Sequence, residues 1–264
     1  MIKAEGSSEL ALKKIIWATT TATLILLALF SSLNMGLANN PSLVDAAYPQ
    51  TITFSGYTWY VENNEQRCNP GPNYWSNNPQ NVWVDGNGWL HLKITYRDGK
   101  WYCAELTSTQ TFGYGTYAFY LASKVDNLDK NVVLGLFAYK DDAHEVDIEF
   151  SKWGVTNNKN AWYTVQPRPY VQGINQKSFN MQLFGDYSTH YFTWSRRAIS
   201  FQSFHGHYPI GTQPASNIIQ SFTSRSTVSA QGVKAHINLW LYNGYVPSNG
   251  LPVEVVIKSF QYIR

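Results

Sequence analysis

From residue 51 to the end of the chain, apolar residues fall in short runs with a period of two, each closed by turn-forming residues. Side chains on a strand alternate faces, so this pattern commits the chain to β-sheet. The run Val82-Trp83-Val84 ends at Asp85-Gly86-Asn87-Gly88, and residues 89–96 alternate before stopping at Arg97-Asp98-Gly99-Lys100. Both stops are tight-turn sequences. Further strands are expected at 101–111, 116–121, 132–139, 144–150, 161–166, 191–194, 199–204, 235–241 and 253–263. No amphipathic helix of convincing length and no internal repeat is present. Many short strands between turns predict an all-β fold, a two-sheet antiparallel β-sandwich of the jelly-roll kind. A length of 264 residues admits one large β domain or two small ones. We read 51–264 as a single domain.

One strand carries unusual chemistry. In His144-Glu145-Val146-Asp147-Ile148-Glu149-Phe150, Val146, Ile148 and Phe150 alternate with three carboxylates. The apolar set faces a core, and Glu145, Asp147 and Glu149 stand in a row on the other face. Nothing basic is interleaved to relieve their repulsion. A solvated strand would mix in Lys, Thr or Ser, so the bland reading, an acidic exposed strand, competes evenly with a site. Carboxyl pairs flanking a bond are the equipment of glycoside hydrolysis. A third carboxylate between them raises its neighbours' proton affinity, which keeps a Glu usable as an acid near neutral pH. Residues i and i+4 on a strand lie about 13 Å apart, so the two Glu side chains must lean together across a concave sheet to act as a pair.

Charged residues make up only 14% of the chain against 16% aromatics, including 10 Trp and 18 Tyr. Flat aromatic faces suit stacking on sugar rings, with rigid sheet packing as the alternative. The net charge of +3 is small and unclustered, which argues against a nucleic-acid partner. Lys13-Lys14, an apolar run and a small-residue end at Ala38 form the pattern of a secretory signal peptide over 1–38, followed by a short linker over 39–50. An uncleaved anchor is the competing reading, since residues 15–33 are just long enough to cross a bilayer. Cleavage predicts a secreted protein, extracellular or periplasmic, free of the membrane. Cys68 and Cys103 fit export, as a disulfide or as two buried thiols. Neither has metal-ligand spacing.

Other constellations carry less. Gly113-Tyr114-Gly115 lacks the later Gly, the Lys and the helix of a phosphate cradle, so it is a turn. His205-Gly206-His207 has no acidic or Cys partner nearby, and His144 beside the acidic row is better placed for neutral hydrogen bonding than for ligation. No nucleophile elbow supports a serine hydrolase.

The segment Glu145-Val146-Asp147-Ile148-Glu149-Phe150 resembles the catalytic strand of glycoside hydrolase family 16, the lichenase and laminarinase family. Three more segments agree in order: Cys103-Ala104-Glu105 leading to Phe112-Gly113-Tyr114-Gly115-Thr116-Tyr117, Trp194 with Ile199-Ser200-Phe201, and Asn238-Leu239-Trp240. The resemblance spans about 51–264. It implies a curved jelly roll with polysaccharide lying across its concave face. Glu145 would be the nucleophile and Glu149 the acid/base of a retaining double displacement, with Asp147 holding and polarising the pair. Glu105, Asn238 and Trp240 would bind sugar, as would Phe137 and Tyr139, with Trp153, Trp162 and Gln166 as further contacts. Cys68 and Cys103 sit where some lichenases carry a disulfide. The family needs no catalytic metal and no cofactor, although many members hold a structural calcium. Thr107 and Ala143 stand where lichenases have Arg and Trp, so the expected chemistry is firmer than any named substrate.

The function expected is a secreted, monomeric endo-β-glycanase on a β-glucan-like polysaccharide. A transglycosylase using the same Glu145 intermediate is a close alternative. A lectin-like module would keep the aromatic cleft but has no need of three aligned carboxylates.

Overall fold

The computed structural model describes residues 50–264. The secretory segment expected over 1–38 and nearly all of the linker expected over 39–50 lie outside the described residues. In chain order the strands are β1 (Thr51–Phe54), β2 (Tyr57–Val61), β3 (Asn64–Cys68), β4 (Asn73–Trp75), β5 (Val82–Val84), β6 (Leu90–Arg97), β7 (Lys100–Ser108), β8 (Gly115–Ala122) and β9 (Val132–Asp141). They continue as β10 (His144–Ser151), β11 (Ala161–Val165), β12 (Gln176–Phe179), β13 (Tyr187–Trp194), β14 (Ile199–His205), β15 (Ile218–Ser224), β16 (Lys234–Leu241) and β17 (Val253–Ile263).

Pairing divides them into two sheets. One runs β1-β2-β7-β16-β9-β10-β11-β12. The other runs β5-β6-β17-β8-β13-β14-β15, and the β6–β7 hairpin joins the two. Every pairing between these strands is antiparallel except the short β4–β7 contact. The fold is the expected all-β jelly roll.

Alternation builds the core. Val146, Ile148 and Phe150 of β10, Leu134 and Leu136 of β9, and Ile237 and Leu239 of β16 are all fully buried. Facing them are Tyr117 and Phe119 of β8, Phe192 of β13 and Phe260 of β17. Rings lock the sheets together: Tyr163 stacks on Phe201 at 4.9 Å, and Trp59 meets the Phe260 edge at 5.3 Å. Burying this much aromatic area is the main favourable contribution to such a sandwich.

β13 begins at Tyr187, four residues ahead of the apolar signal at Tyr191. Past Tyr187, which is exposed, the extension is polar yet buried. His190 contacts Ser203 Oγ through Nδ1 at 2.7 Å and Ser188 Oγ through Nε2 at 2.9 Å, while the Tyr163 hydroxyl donates to Ser203 Oγ at 2.6 Å. Buried polar groups are tolerated when partnered, and here every member is.

Candidate active site

Sheet register assembles the site. Across β11, β10, β9, β16 and β7, one row aligns Trp162, Glu149, Gly135, Asn238 and Glu105. The next aligns Thr164, Asp147, Phe137, His236 and Thr107. A third aligns Glu145, Tyr139 and Lys234, with the Gln166 amide bonded to the Glu145 carbonyl at 3.1 Å. A period of two on each strand therefore puts all three carboxylates of β10 on the face away from the core.

They open into a cavity of about 650 Å³. Glu62, Glu105, Asp142, Glu145, Asp147 and Glu149 all line it, against one guanidinium, Arg168, and one imidazole, His236. Phe137, Tyr139 and Trp240 supply the aromatic wall. Gly135 is there for space: a Cβ would lie 2.4 Å from Asn238 Oδ1, so any side chain would displace that amide from the floor.

Charge is arranged in two clusters. Glu105 Oε1 pairs with His236 Nδ1 at 3.0 Å, and Asn238 Nδ2 donates to Glu105 Oε2 at 3.3 Å. The Thr107 hydroxyl lies 3.0 Å from the same His236 nitrogen, and the imidazole stacks on Phe137 at 4.8 Å. Thr107, where lichenases carry Arg, thus serves to hold His236. The second cluster is the β10 row. Burial, together with repulsion from Glu145, pushes Glu149 up to about 8. Burial also pushes Glu145 up to about 7, with further repulsion from Asp142 and Glu105, while a hydrogen bond with Asp147 pulls the other way. Asp147 rises well above the usual carboxylate range, because it is buried between both Glu charges and gives its proton toward Glu145; Gln166 opposes the rise. Asp147 Oδ2 and Asn238 Oδ1 are buried without a partner. Like charges in a dry site cannot all ionise, so protons are retained near neutral pH.

Solved structures described as β-glucanases, and one described as a pseudo-glucanase, have this architecture. A β-glucanase of Bacillus licheniformis superposes with a TM-score of 0.56 at 20% identity, over 82% of this chain and 96% of that one. A pseudo-β-1,3-glucanase of Mycobacterium tuberculosis gives 0.59 at 20% identity, over 81% and 91%. A β-1,3-1,4-glucanase (lichenase) from a mouse hindgut metagenome gives 0.53 at 16% identity, over 81% and 93%. The fold is that of the β-glucanases. No protein-family model and no curated protein sequence matches the chain.

Within this glucanase fold, Glu105, Phe137, Tyr139, Glu145, Asp147, Glu149, Asn238 and Trp240 come together in the cavity. Three other residues named as sugar contacts adjoin the cavity without lining it. Trp153 packs on Trp240 and Tyr242, and Trp162 spends its indole N–H on the Ser151 carbonyl at 2.9 Å. Gln166 accepts from the Tyr170 hydroxyl at 2.9 Å and bonds Asp147, so it positions the row. His236, Arg168, Glu62 and Asp142 were missed, since a lone His or an isolated loop charge has no periodic signal. The disulfide is a correction: Cys68 and Cys103 are free thiols. Trp75, not Cys68, sits in register with Cys103; Cys68 pairs instead with Asn73 and accepts from Asn64 Nδ2 at 3.4 Å. Among the described residues no cluster of His, Cys, Asp and Glu is set to hold a metal ion. His207 Nε2 donates to the Leu121 carbonyl at 2.7 Å, and His205 stacks on Phe184.

Proposed function

We propose that the protein is a secreted, retaining endo-β-glycanase acting on a neutral, β-glucan-like polysaccharide. The observation that carries this is the β10 row, three carboxyls on one face of a cleft with protons retained at neutral pH. Asp147 keeps its proton and donates toward Glu145, which favours the charged form of Glu145 as nucleophile. Glu149, pushed up to about 8, stays protonated and is the general acid.

In the first step the Glu145 carboxylate attacks the anomeric carbon as the glycosidic bond breaks, and the Glu149 proton passes to the leaving oxygen. A glycosyl ester on Glu145 results. In the second step Glu149, now a carboxylate, takes a proton from water, which attacks the same carbon and releases Glu145. The carboxyl groups of the cavity that do ionise face one guanidinium, Arg168, and repel an acidic polymer, which supports a neutral substrate. The Phe137 and Tyr139 rings and the Glu105–His236 pair are suited to sugar faces and hydroxyls.

The test is reducing-sugar release from mixed-linkage β-glucan, laminarin, xyloglucan, agarose and carrageenan, with Glu145→Gln as control. Release by the wild type alone is expected. Binding without release would return the protein to the lectin-like reading, and transfer of polymer onto a labelled acceptor sugar without a net gain of reducing ends would mark a transglycosylase.

A further inference from the structure

A second cavity, larger than the cleft, lies elsewhere among the described residues. It encloses about 920 Å³ among the loop after β7, the β13–β14 turn and the loop before β16, and it shares no lining residue with the cleft. Its wall includes Tyr114 and Tyr262, its rim Gln110, Gln231, Arg196 and Arg264, and no Asp or Glu side chain lines it. No Asp or Glu forms an ion pair with either arginine among the described residues.

The wall is rigidly held. The Tyr117 hydroxyl donates to the Gly113 carbonyl at 2.7 Å, and the Tyr262 hydroxyl donates to the Tyr114 carbonyl at 2.8 Å. A Cβ at Gly115 would lie 2.6 Å from the Ile263 carbonyl, so only glycine lets the two segments approach this closely. Phe112 N–H bonds the Val233 carbonyl at 2.7 Å, which ties the loop after β7 to the loop before β16. Ser195 Oγ closes the β13–β14 turn on the Ala198 carbonyl at 2.8 Å, and that turn holds the Arg196 guanidinium 5.6 Å from the centre of the Tyr114 ring. The Gly-Tyr-Gly sequence is therefore more than a turn. It presents a fixed aromatic surface and an unpaired cation together.

We propose that this cavity is a second, non-catalytic saccharide site for an acidic sugar, one carrying carboxylate or sulfate. An aromatic ring offers stacking to the apolar face of a pyranose, the two guanidinium forks match an oxyanion, and the two amides suit hydroxyls. The cleft and this cavity have opposite charge, so they select different polymers. The second site anchors the protein on an acidic glycan while the cleft is left for a neutral one.

The experiment is calorimetric titration of the full chain with a short oligogalacturonate, a sulfated galactan oligosaccharide, a neutral cello-oligosaccharide and inorganic sulfate. At least one acidic oligosaccharide is expected to bind more tightly than sulfate alone, without competition from the neutral sugar, and to weaken with added salt. Arg196→Gln and Tyr114→Ala should each weaken it by about tenfold and leave cello-oligosaccharide binding unchanged. Arg196 is exposed on its turn, so Arg196→Gln keeps the test valid even where Tyr114→Ala fails to fold. Competition by the neutral sugar for the acidic one, binding of sulfate as tight as that of the saccharide, undiminished affinity in Arg196→Gln, or no binding of either acidic oligosaccharide would each overturn the proposal.

Discussion

Two buried clusters of titratable groups sit in this sandwich, one on each sheet, and they are built to opposite rules. On β13 and β14, His190 has a hydroxyl at each ring nitrogen, and Tyr163 completes the chain. With Ser203 donating to Nδ1 and the Nε2 proton given to Ser188, a neutral imidazole satisfies every member. On β10, Glu145, Asp147 and Glu149 crowd like charges together, and Asp147 Oδ2 has no partner. The satisfied one is structure, and the unsatisfied one is a site, because only there is free energy left over for a substrate to recover.

Function should separate the two most sharply. Glu145→Gln is expected to lower turnover by at least about 10⁴-fold while the protein stays folded, measured as initial rates beside a melting curve. Glu149→Ala should lose ~10²–10⁴-fold on substrates with poor leaving groups and much less on activated aryl glycosides. An equal loss on both would contradict its role as the acid. His190→Leu should do the reverse, costing about 1–3 kcal/mol of stability by stranding Ser188 and Ser203, with kcat preserved in the folded fraction.

The pH dependence of stability sharpens the contrast further. Burial holds His190 down to about 3, aided by the nearby His205 and His207 charges. The unfolded chain therefore binds the extra proton below the usual histidine value, and stability falls as pH drops from there toward 3. Glu145 and Glu149 are raised, so the native state binds the extra protons. Their contribution is full below the ordinary glutamate range and is lost as pH climbs toward about 8. Denaturation across pH should thus show an acid limb that flattens in His190→Leu and an alkaline limb that flattens in Glu149→Gln. The latter gain is about 1–3 kcal/mol at pH 9. The smallest expected effect is Gln166→Ala. Removing an amide that lowers Asp147 should shift the pH profile of kcat and leave the melting temperature nearly unchanged, by calorimetry and rate measurement together.

The same contrast explains what could be read from sequence. The β10 row was legible because strand alternation and charge coincide in seven consecutive residues. β13 was truncated because Ser188, Thr189 and His190 are buried polar residues, which imitate a loop until their partners on β14 and β11 are known. β3 was invisible for a related reason: Asn64-Glu65-Gln66-Arg67-Cys68 contains no apolar alternation, and pairing with β4 makes it a strand. His236 joins the site only through register across β7, β9 and β16, which no local pattern encodes. Gln166 was placed against sugar because its strand was legible, whereas its direction toward Asp147 depends on the neighbouring strand.

The central claim is that Glu145 forms a covalent bond with the sugar. Incubation with an activated 2-deoxy-2-fluoro glycoside slows the second step and lets the glycosyl enzyme accumulate for peptide mass spectrometry. The account predicts one added sugar on the peptide containing Glu145, absent in Glu145→Gln. A label on Glu149 instead, or turnover of the reagent with inversion at the anomeric carbon and no adduct, would contradict it.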